Sequence, residues 1–406
     1  MSLSVSFLAS RFPNPSETFI QDQVEGLLTR GADVRVAALA RGPEDRIAAL
    51  HARWGERLQL DFVPVGRTLL ARLAKLPAAL SAPEALDVGR FGEDAASLRL
   101  AVAAAGWPKE RLAGPSVWLA HYGRWGRFAC ALRDLGLIEG PVATVFHGKD
   151  MSAYLKRRPN AYAPLFAKGD LFLPISQLWR DKLLSLGAPP EKTLIHRMGV
   201  DSETFTLRPR ALAPGETVRL ISVGRFVEKK GFDDAIAAFA EAIRAPGAPP
   251  ASLTMIGGGA LKPRCEQMAR DLGLGAAVRF TGLAPHAQVA AELDRAHLFV
   301  LPSKTARDGD MEGVPVALME AQAMGLPVLS TRHSGIPELV EHEVTGLLCA
   351  EGDRAGLAAN MAALMAAPER WAAMGQAGAA RVRAEFDAKT WNDLLLERLA
   401  ALAPAP

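Results

Sequence analysis

Short runs of β-branched and apolar residues alternate with Ala/Leu-rich stretches along the whole chain, and the series restarts once. In the first half the strand candidates are Leu3–Ala9, Asp33–Leu39, Leu58–Val65, Ser116–Ala120, Val142–Phe146, Leu171–Ile175 and Lys192–His196. In the second half they are Val218–Val223, Ser252–Ile256, Val278–Thr281, His297–Leu301 and Val328–Thr331. Several are continuous apolar runs, as strands buried on both faces must be. Strands separated by helical stretches imply parallel sheets with crossover helices. The polar, Pro-containing stretch near 203–216 precedes the second series and is the natural linker. The expectation is an α/β chain of two doubly wound, Rossmann-like domains, 1–206 and 207–385. Ligands should lie at the C-terminal strand ends facing a cleft. Residues 386–406, ending in an Ala/Pro-rich tail, should form a helix over Trp391–Leu402 that packs back on the first domain.

At 406 residues, 49% hydrophobic and 22% charged, the chain has the composition of a soluble globular protein, which excludes disordered, collagen-like and disulfide-scaffold classes. Residues 1–206 carry 26 Lys+Arg against 21 Asp+Glu; the rest carry 21 against 23. That mild asymmetry is too weak for a dedicated nucleic-acid binder. Cys130, Cys265 and Cys349 form no C-x-x-C pair, so no zinc site or disulfide framework is expected and a reduced, cytoplasmic setting fits. The N-terminus lacks a basic n-region ahead of its apolar run, so no signal peptide is expected. No stretch reaches the ~20 apolar residues of a membrane span.

The most informative segment, residues 301–349, passes from a strand end through a polar loop into Glu312-Gly313-Val314-Pro315 and a helix. Glu312 and Glu320 are eight positions apart, at most about 12 Å of helical rise. A helix N-terminus offers free amides and a positive dipole end to an anion. A carboxylate there and another two turns along could grip hydroxyls at both ends of a nucleotide diphosphate sugar. Taken bare, the pair is more simply an N-cap acid and a solvated helical Glu.

The segment does not stand bare. P-S…D-G-D-x-E-G-x-P-x-x-x-x-E-A-x-A-x-G-x-P-V, with S-G-I-P-E-L-V and T-G-L-L after it, resembles the E-x7-E signature of retaining glycosyltransferases of the GT-B fold, particularly glycosyltransferase family 4. Gly224-Arg225…Lys230-Gly231 resembles that family's G-R-x-x-x-x-K-G element, which makes Arg225 and Lys230 diphosphate ligands. Two cations at a leaving diphosphate are the usual electrostatic stabiliser. Phe280-Thr281-Gly282-Leu283 matches where the family contacts the base, largely through backbone. Phe146-His147-Gly148-Lys149-Asp150 resembles F-H-G-x-D, whose His reaches the transferred sugar; Asp150 is a candidate acceptor contact. His121 is a weaker candidate at the same edge. Ser176 and Met198-Gly199-Val200-Asp201 match elements near the domain junction, read as structural.

In place of the family's G-G-x-E loop, Pro15-Ser16-Glu17-Thr18-Phe19 resembles a variant of exopolysaccharide and colanic-acid-type transferases. That departure shifts Ser16, Glu17 and Thr18 toward acceptor or sugar recognition; Ser16 or Thr18 could also be a plain helix N-cap. Gly257-Gly258-Gly259 lacks the G-x-G-x-x-G spacing and the later acidic residue of an NAD site, and reads as a tight turn near the donor cleft. Asp308-Gly309-Asp310 has the form of a metal-binding D-x-D, but lies inside the GT-B-like loop where Arg225 and Lys230 can neutralise a diphosphate. No metal or cofactor is expected.

Residues 67–76 place leucines at 69, 70, 73 and 76 between Arg67, Arg72 and Lys75. One basic amphipathic helix there could lie on an anionic membrane surface; packing of its leucines on its own domain is the favoured alternative. The resemblance implies a metal-independent, retaining hexosyltransferase that moves a sugar from a UDP- or GDP-linked donor to a glycan or lipid-linked oligosaccharide in surface polysaccharide assembly. It would work in the cytoplasm or at the inner membrane face, with His147, Arg225, Lys230 and Glu312 catalytic and Leu283, Gly313, Val314, Pro315 and Glu320 on the donor. A GT-B-fold sugar epimerase and a non-catalytic nucleotide-binding protein are the alternatives, with an NAD enzyme third.

Overall fold

A computed structural model describes residues 2–403; Met1 and the last three residues of the Ala/Pro-rich tail lie outside the described residues. Among the described residues twelve strands form two six-stranded parallel sheets. The first contains β1 (Ser4–Ala9), β2 (Asp33–Ala38), β3 (Leu58–Phe62), β4 (Val117–His121), β5 (Val142–Phe146) and β6 (Leu171–Pro174). The second contains β7 (Val218–Val223), β8 (Ala251–Ile256), β9 (Val278–Gly282), β10 (Leu298–Leu301), β11 (Val328–Thr331) and β12 (Gly346–Cys349). The orders are β3-β2-β1-β4-β5-β6 and β12-β11-β10-β7-β8-β9. Both are the doubly wound arrangement whose order reverses between the first and fourth strands, and crevices open at such reversals. β4, β5, β6, β10, β11 and β12 are buried at every position, as the uninterrupted apolar runs require.

Two strand expectations differ. Lys192–His196 is not a strand: it borders β6 through one bridge, Phe172 to Thr193, although the Leu194 and His196 amides bond Phe172 and Pro174. β12 was not anticipated, because a four-residue run opening on Gly carries too little periodicity. Gly346 is required there, since a Cβ would meet the Val328 carbonyl oxygen at 2.2 Å.

The expected helix over 67–76 is two helices, Leu69–Leu73 and Leu76–Leu80. Pro77 cannot donate to the Leu73 carbonyl and its ring clashes there, so the helix restarts with Pro in its first turn. The final helix, Ala388–Leu402, lies against the helix Thr18–Thr29. Arg30 Nε pairs with Asp393 at 2.6 Å, and Arg398 donates to the Ile195 carbonyl. Gly199 meets the Asp387–Ala388 backbone so closely that no Cβ fits, and Val200 bridges Asp387. The G-V-D element thus anchors the last helix, and Ser176 caps the helix Gln177–Ser185 through the Trp179 amide.

Candidate active site

The loops after β1, β4 and β5 of the first sheet face those after β7 and β10 of the second, beside the two order reversals. After β10 the chain runs through Pro302 to Glu312 before the helix Val316–Ala323 begins. Glu312 therefore sits on the loop rather than in the helix, while Glu320 is inside it. Pro315 is the residue before the helix and has no N–H. The free amides just before the helix are those of Gly313 and Val314, which meet no acceptor among the described residues.

Glu312 is buried, with Oε1 3.1 Å from Lys230 Nζ and 4.0 Å from Lys229 Nζ. Burial pushes its carboxyl pKa up, but the two ammonium groups outweigh that and hold it below the ordinary range. Lys230 moves down as well: burial comes first, and the neighbouring Lys229 and Arg225 add to it against the single Glu312 carboxylate. The site holds more cation than anion and is electrostatically prepared for a negatively charged guest. Arg225 is exposed, and its charge acts both on Lys230 and, across the cleft, on Tyr122. Gly231 closes the turn after the lysines in the left-handed region at φ 64°, where a Cβ would meet the Pro302 carbonyl oxygen at 1.9 Å. The G-R-x-x-x-x-K-G turn and the loop carrying Glu312 are thereby locked together.

Asp310 accepts from Lys229 at 3.1 Å, and Asp308 lies 3.7 Å from Arg157 of the first half. Among the described residues no cluster of three or more His, Cys, Asp or Glu side chains could hold a metal ion. Gly257 and Gly259 let this loop approach the 224–226 backbone, where Cβ atoms would fall 1.8 Å from Gly224 O and 2.7 Å from Phe226 O. The triple glycine is a close-approach turn. Leu283 stands beside it, exposed, against Gly258. Glu320 is buried and 2.9 Å from His286 Nε2, and that hydrogen bond raises the imidazole pKa.

From the first half, His147 follows β5 and is buried. Its Nε2 is 3.0 Å from His121 Nδ1, and its ring lies 4.7 Å from those of both Phe19 and Tyr122. Burial, then the Lys229 charge, lowers its pKa to about 3, so the ring is neutral. Asp150 is bonded to the backbone of its own half. Its carboxylate accepts from the Gly123 and His147 amides at 2.8 Å each, and it is buried, with its pKa raised by that burial to about 7 despite the amides. It positions the histidine loop. Glu17 accepts from the Tyr122 hydroxyl at 3.0 Å and from Asn14 at 2.8 Å, so it ties the loop after β1 to the edge of β4. Glu17 itself is the residue preceding the helix, without a side-chain cap, so neither Ser16 nor Thr18 caps it; both are exposed.

Three contributors escaped the sequence reading. Tyr122 holds φ 72°, a left-handed conformation costly for a bulky residue, and such strain gathers at functional sites. His333 Nε2 accepts from the Glu312 amide at 3.1 Å while its Nδ1 faces Glu351 at 2.6 Å, which fixes the tautomer. Ser334, at φ 49°, donates to the Glu312 carbonyl at 2.6 Å. The R-H-S-G run adjoining S-G-I-P was the available signal for the last two.

Against known proteins, residues 203–381 match the family described as glycosyl transferases group 1. AmsK of Erwinia amylovora, named an amylovoran biosynthesis glycosyltransferase, is 37% identical over 412 residues, covering 99% of this chain and 100% of that one. This chain belongs to the group 1 glycosyltransferase family. WcaL of Salmonella typhimurium, named for colanic acid biosynthesis, is 40% identical over 370 residues, 89% of this chain and 90% of its own. The crystal structure of Anabaena HepE in complex with UDP and glucose shares the GT-B fold at a TM-score of 0.71 and 19% identity, covering 98% of this chain and all of that one. The chain is thus a glycosyltransferase, an enzyme. No helix among the described residues is long and apolar enough to cross a membrane.

Proposed function

We propose that this glycosyltransferase moves a hexosyl group from a UDP- or GDP-linked sugar to a lipid-linked glycan during exopolysaccharide assembly, with retention of anomeric configuration and without a metal ion. The observation carrying the donor half is the buried Lys229–Lys230–Glu312 cluster with Arg225 at its rim, which has cation to spare for a diphosphate. Arg225 and Lys230 would take the leaving diphosphate, Gly313 and Val314 amides and Glu312 the sugar, and Glu320 the ribose. Leu283 would face the base. As the bond from the anomeric carbon to the diphosphate breaks, the acceptor hydroxyl oxygen attacks the same face. Its proton passes to the departing phosphate oxygen, so no protein base is needed. This suits a His147 that is held neutral and serves as a sugar or phosphate contact. The exopolysaccharide context is supported by AmsK and WcaL, similar over nine-tenths or more of their length.

The acceptor half draws on Ser16 and on the leucines between Leu69 and Leu80, which lie bare at the surface and suit weak docking to the inner membrane face. The test is a transfer assay with a panel of UDP- and GDP-sugars in excess chelator, the product configuration read by NMR. Transfer with retained configuration is expected. Loss of activity on chelation, reproduced by Asp308→Ala or Asp310→Ala, would overturn the metal-free reading.

A further inference from the structure

A second depression, about 620 Å3, opens at the C-terminal ends of β1, β2 and β3, beside the acceptor loop. Six arginines line it, Arg11, Arg41, Arg67, Arg72, Arg99 and Arg124, and among the described residues no carboxylate does. Arg41 is paired with Glu44 at 2.8 Å and Arg99 with Asp94 at 3.0 Å. Among the described residues no carboxylate lies within 4 Å of the other four guanidinium groups. Arg72 is 6% exposed; Nη1 donates to the Gly66 carbonyl at 3.1 Å, but its buried Nε has no partner. Arg124 stacks 4.6 Å over the Trp125 ring and Arg99 lies 5.7 Å over the same ring. Burial, then the neighbouring arginines, hold both Arg72 and Arg124 below the ordinary guanidinium range.

Confining uncompensated cations together is unfavourable unless a guest removes the repulsion. Four unpaired guanidinium groups call for more than one negative charge, and their forked donors match phosphate oxygens. A single carboxylate would leave most of that charge unmet. Asn14 and Ser16 form one wall, and Asn14 bonds Glu17, which accepts from the Tyr122 hydroxyl, and the Tyr122 ring lies 4.7 Å from that of His147. Exposed Leu69 and Leu70 stand on the segment that supplies Arg67 and Arg72.

We propose that this arginine-lined cavity binds the diphosphate of the acceptor and so presents the attached sugar to the transfer site. The assignment rests on the lipid-linked acceptor reading above and adds the group recognised and its residues. The test is calorimetric titration with farnesyl diphosphate, inorganic pyrophosphate and farnesol at fixed ionic strength. Wild type, Arg11→Gln, Arg124→Gln and a Lys230→Met/Glu312→Gln double variant are compared, the last to discount the donor cleft. Both diphosphates should bind wild type and the double variant, and farnesol should not. Each arginine change should weaken binding about tenfold, the worth of one charge-assisted hydrogen bond. Exposed Arg11 keeps the test valid if Arg124→Gln folds poorly. Farnesyl diphosphate binding more tightly than pyrophosphate assigns the diphosphate to a lipid carrier; equal binding assigns it to a soluble phosphorylated acceptor. No binding at millimolar concentration, or binding lost in the double variant and unchanged in both arginine variants, overturns the site. Thermal protection by nucleotide sugars, measured in the same variants, reports the donor reading separately: its absence beside intact farnesyl diphosphate binding sinks that reading alone.

Discussion

Gly148 and Glu312 meet backbone to backbone across the cleft: a Cβ on Gly148 would lie 2.6 Å from the Glu312 carbonyl carbon and 2.4 Å from the Met311 carbonyl oxygen. The glycine beside the cleft histidine is therefore the surface against which the carboxylate loop of the other half closes. Gly148→Ala should hold that loop away by a fraction of an ångström to an ångström. Misplacement on that scale can cost on the order of a hundredfold in rate. The expected result is a fall of about that size in kcat/KM with nucleotide-sugar thermal protection reduced. An alanine variant with wild-type turnover would show that the halves need not meet here.

The Lys230–Glu312 pair predicts a split between stability and activity. Removing Glu312 leaves Lys230 buried and uncompensated, a loss of about 3–5 kcal/mol, and removing Lys230 leaves Glu312 with only the more distant Lys229 at 4.0 Å. Lys230→Ala and Glu312→Ala should each lower the unfolding midpoint by several degrees as well as reduce transfer by a hundredfold or more. The double Lys230→Met/Glu312→Gln variant removes both charges together, so it should regain most of the midpoint and none of the activity. Recovery of turnover in the double variant would place the pair outside the chemistry.

How much of this was legible in the sequence follows from how local each feature is. The order of short apolar runs announced two doubly wound sheets, because burial on both faces is written into the residues themselves. The donor loops were legible because the turn between Arg225 and Lys230, closed by Gly231, needs particular residues at fixed spacing after a strand. Tyr122, His333 and Glu351 were not, since their roles depend on which distant backbone they meet. The same holds for Arg72 and Arg124, brought to one cavity from opposite sides of a region of broken helices. Periodicity marked the leucines near residue 70 as one face, but it cannot say whether anything covers that face. The structure leaves it bare.

Buried imidazoles make acid the weak side of this fold. Burial lowers His147 and His196 to about 3 and His121 well below its ordinary value, so each is neutral when folded and protonates more readily when unfolded. With folded pKa values below the unfolded 6.5, the unfolded chain binds the extra protons. Stability is full above about pH 6.5 and declines toward pH 3, with each group contributing a slope of up to about 1.4 kcal/mol per pH unit. Asp150 works in the opposite sense: with its pKa raised to about 7, it favours the folded state at low pH and loses that contribution between 3.8 and 7. With burial also lowering His297 to about 4 and raising Asp22 to about 6, four imidazoles against two carboxyls leave a net acid-side loss below pH 6.5. Unfolding midpoints recorded from pH 8 to 4 should show it, and His196→Gln, outside the transfer site, should make the decline shallower by one proton. A midpoint that rises on acidification would show Asp150 to dominate.

Membrane contact is best tested through the leucines rather than the basic residues. Leu69, Leu70, Leu73, Leu76 and Leu80 are exposed, Leu70 to 79%, on the two short helices that follow the arginine cavity. Arg72 is buried and bonds the Gly66 carbonyl, while Lys75 bonds the Pro64 carbonyl. Reversing either charge would disturb the loop after β3 and confuse folding with docking. Each leucine inserted into a headgroup region gains the free energy of losing apolar contact with water, up to about 1.5–3 kcal/mol if fully buried. Nearby basic side chains such as Arg67 add at most about 1 kcal/mol each at an anionic surface, and less in salt. Sedimentation with anionic vesicles should therefore show binding at low salt that weakens at high salt. Leu70→Gln with Leu80→Gln should remove most of it, while the unfolding midpoint and donor protection stay at wild-type values because neither side chain is packed. Vesicle binding indifferent to these two changes, or none at low salt, would leave the leucine face without a membrane role.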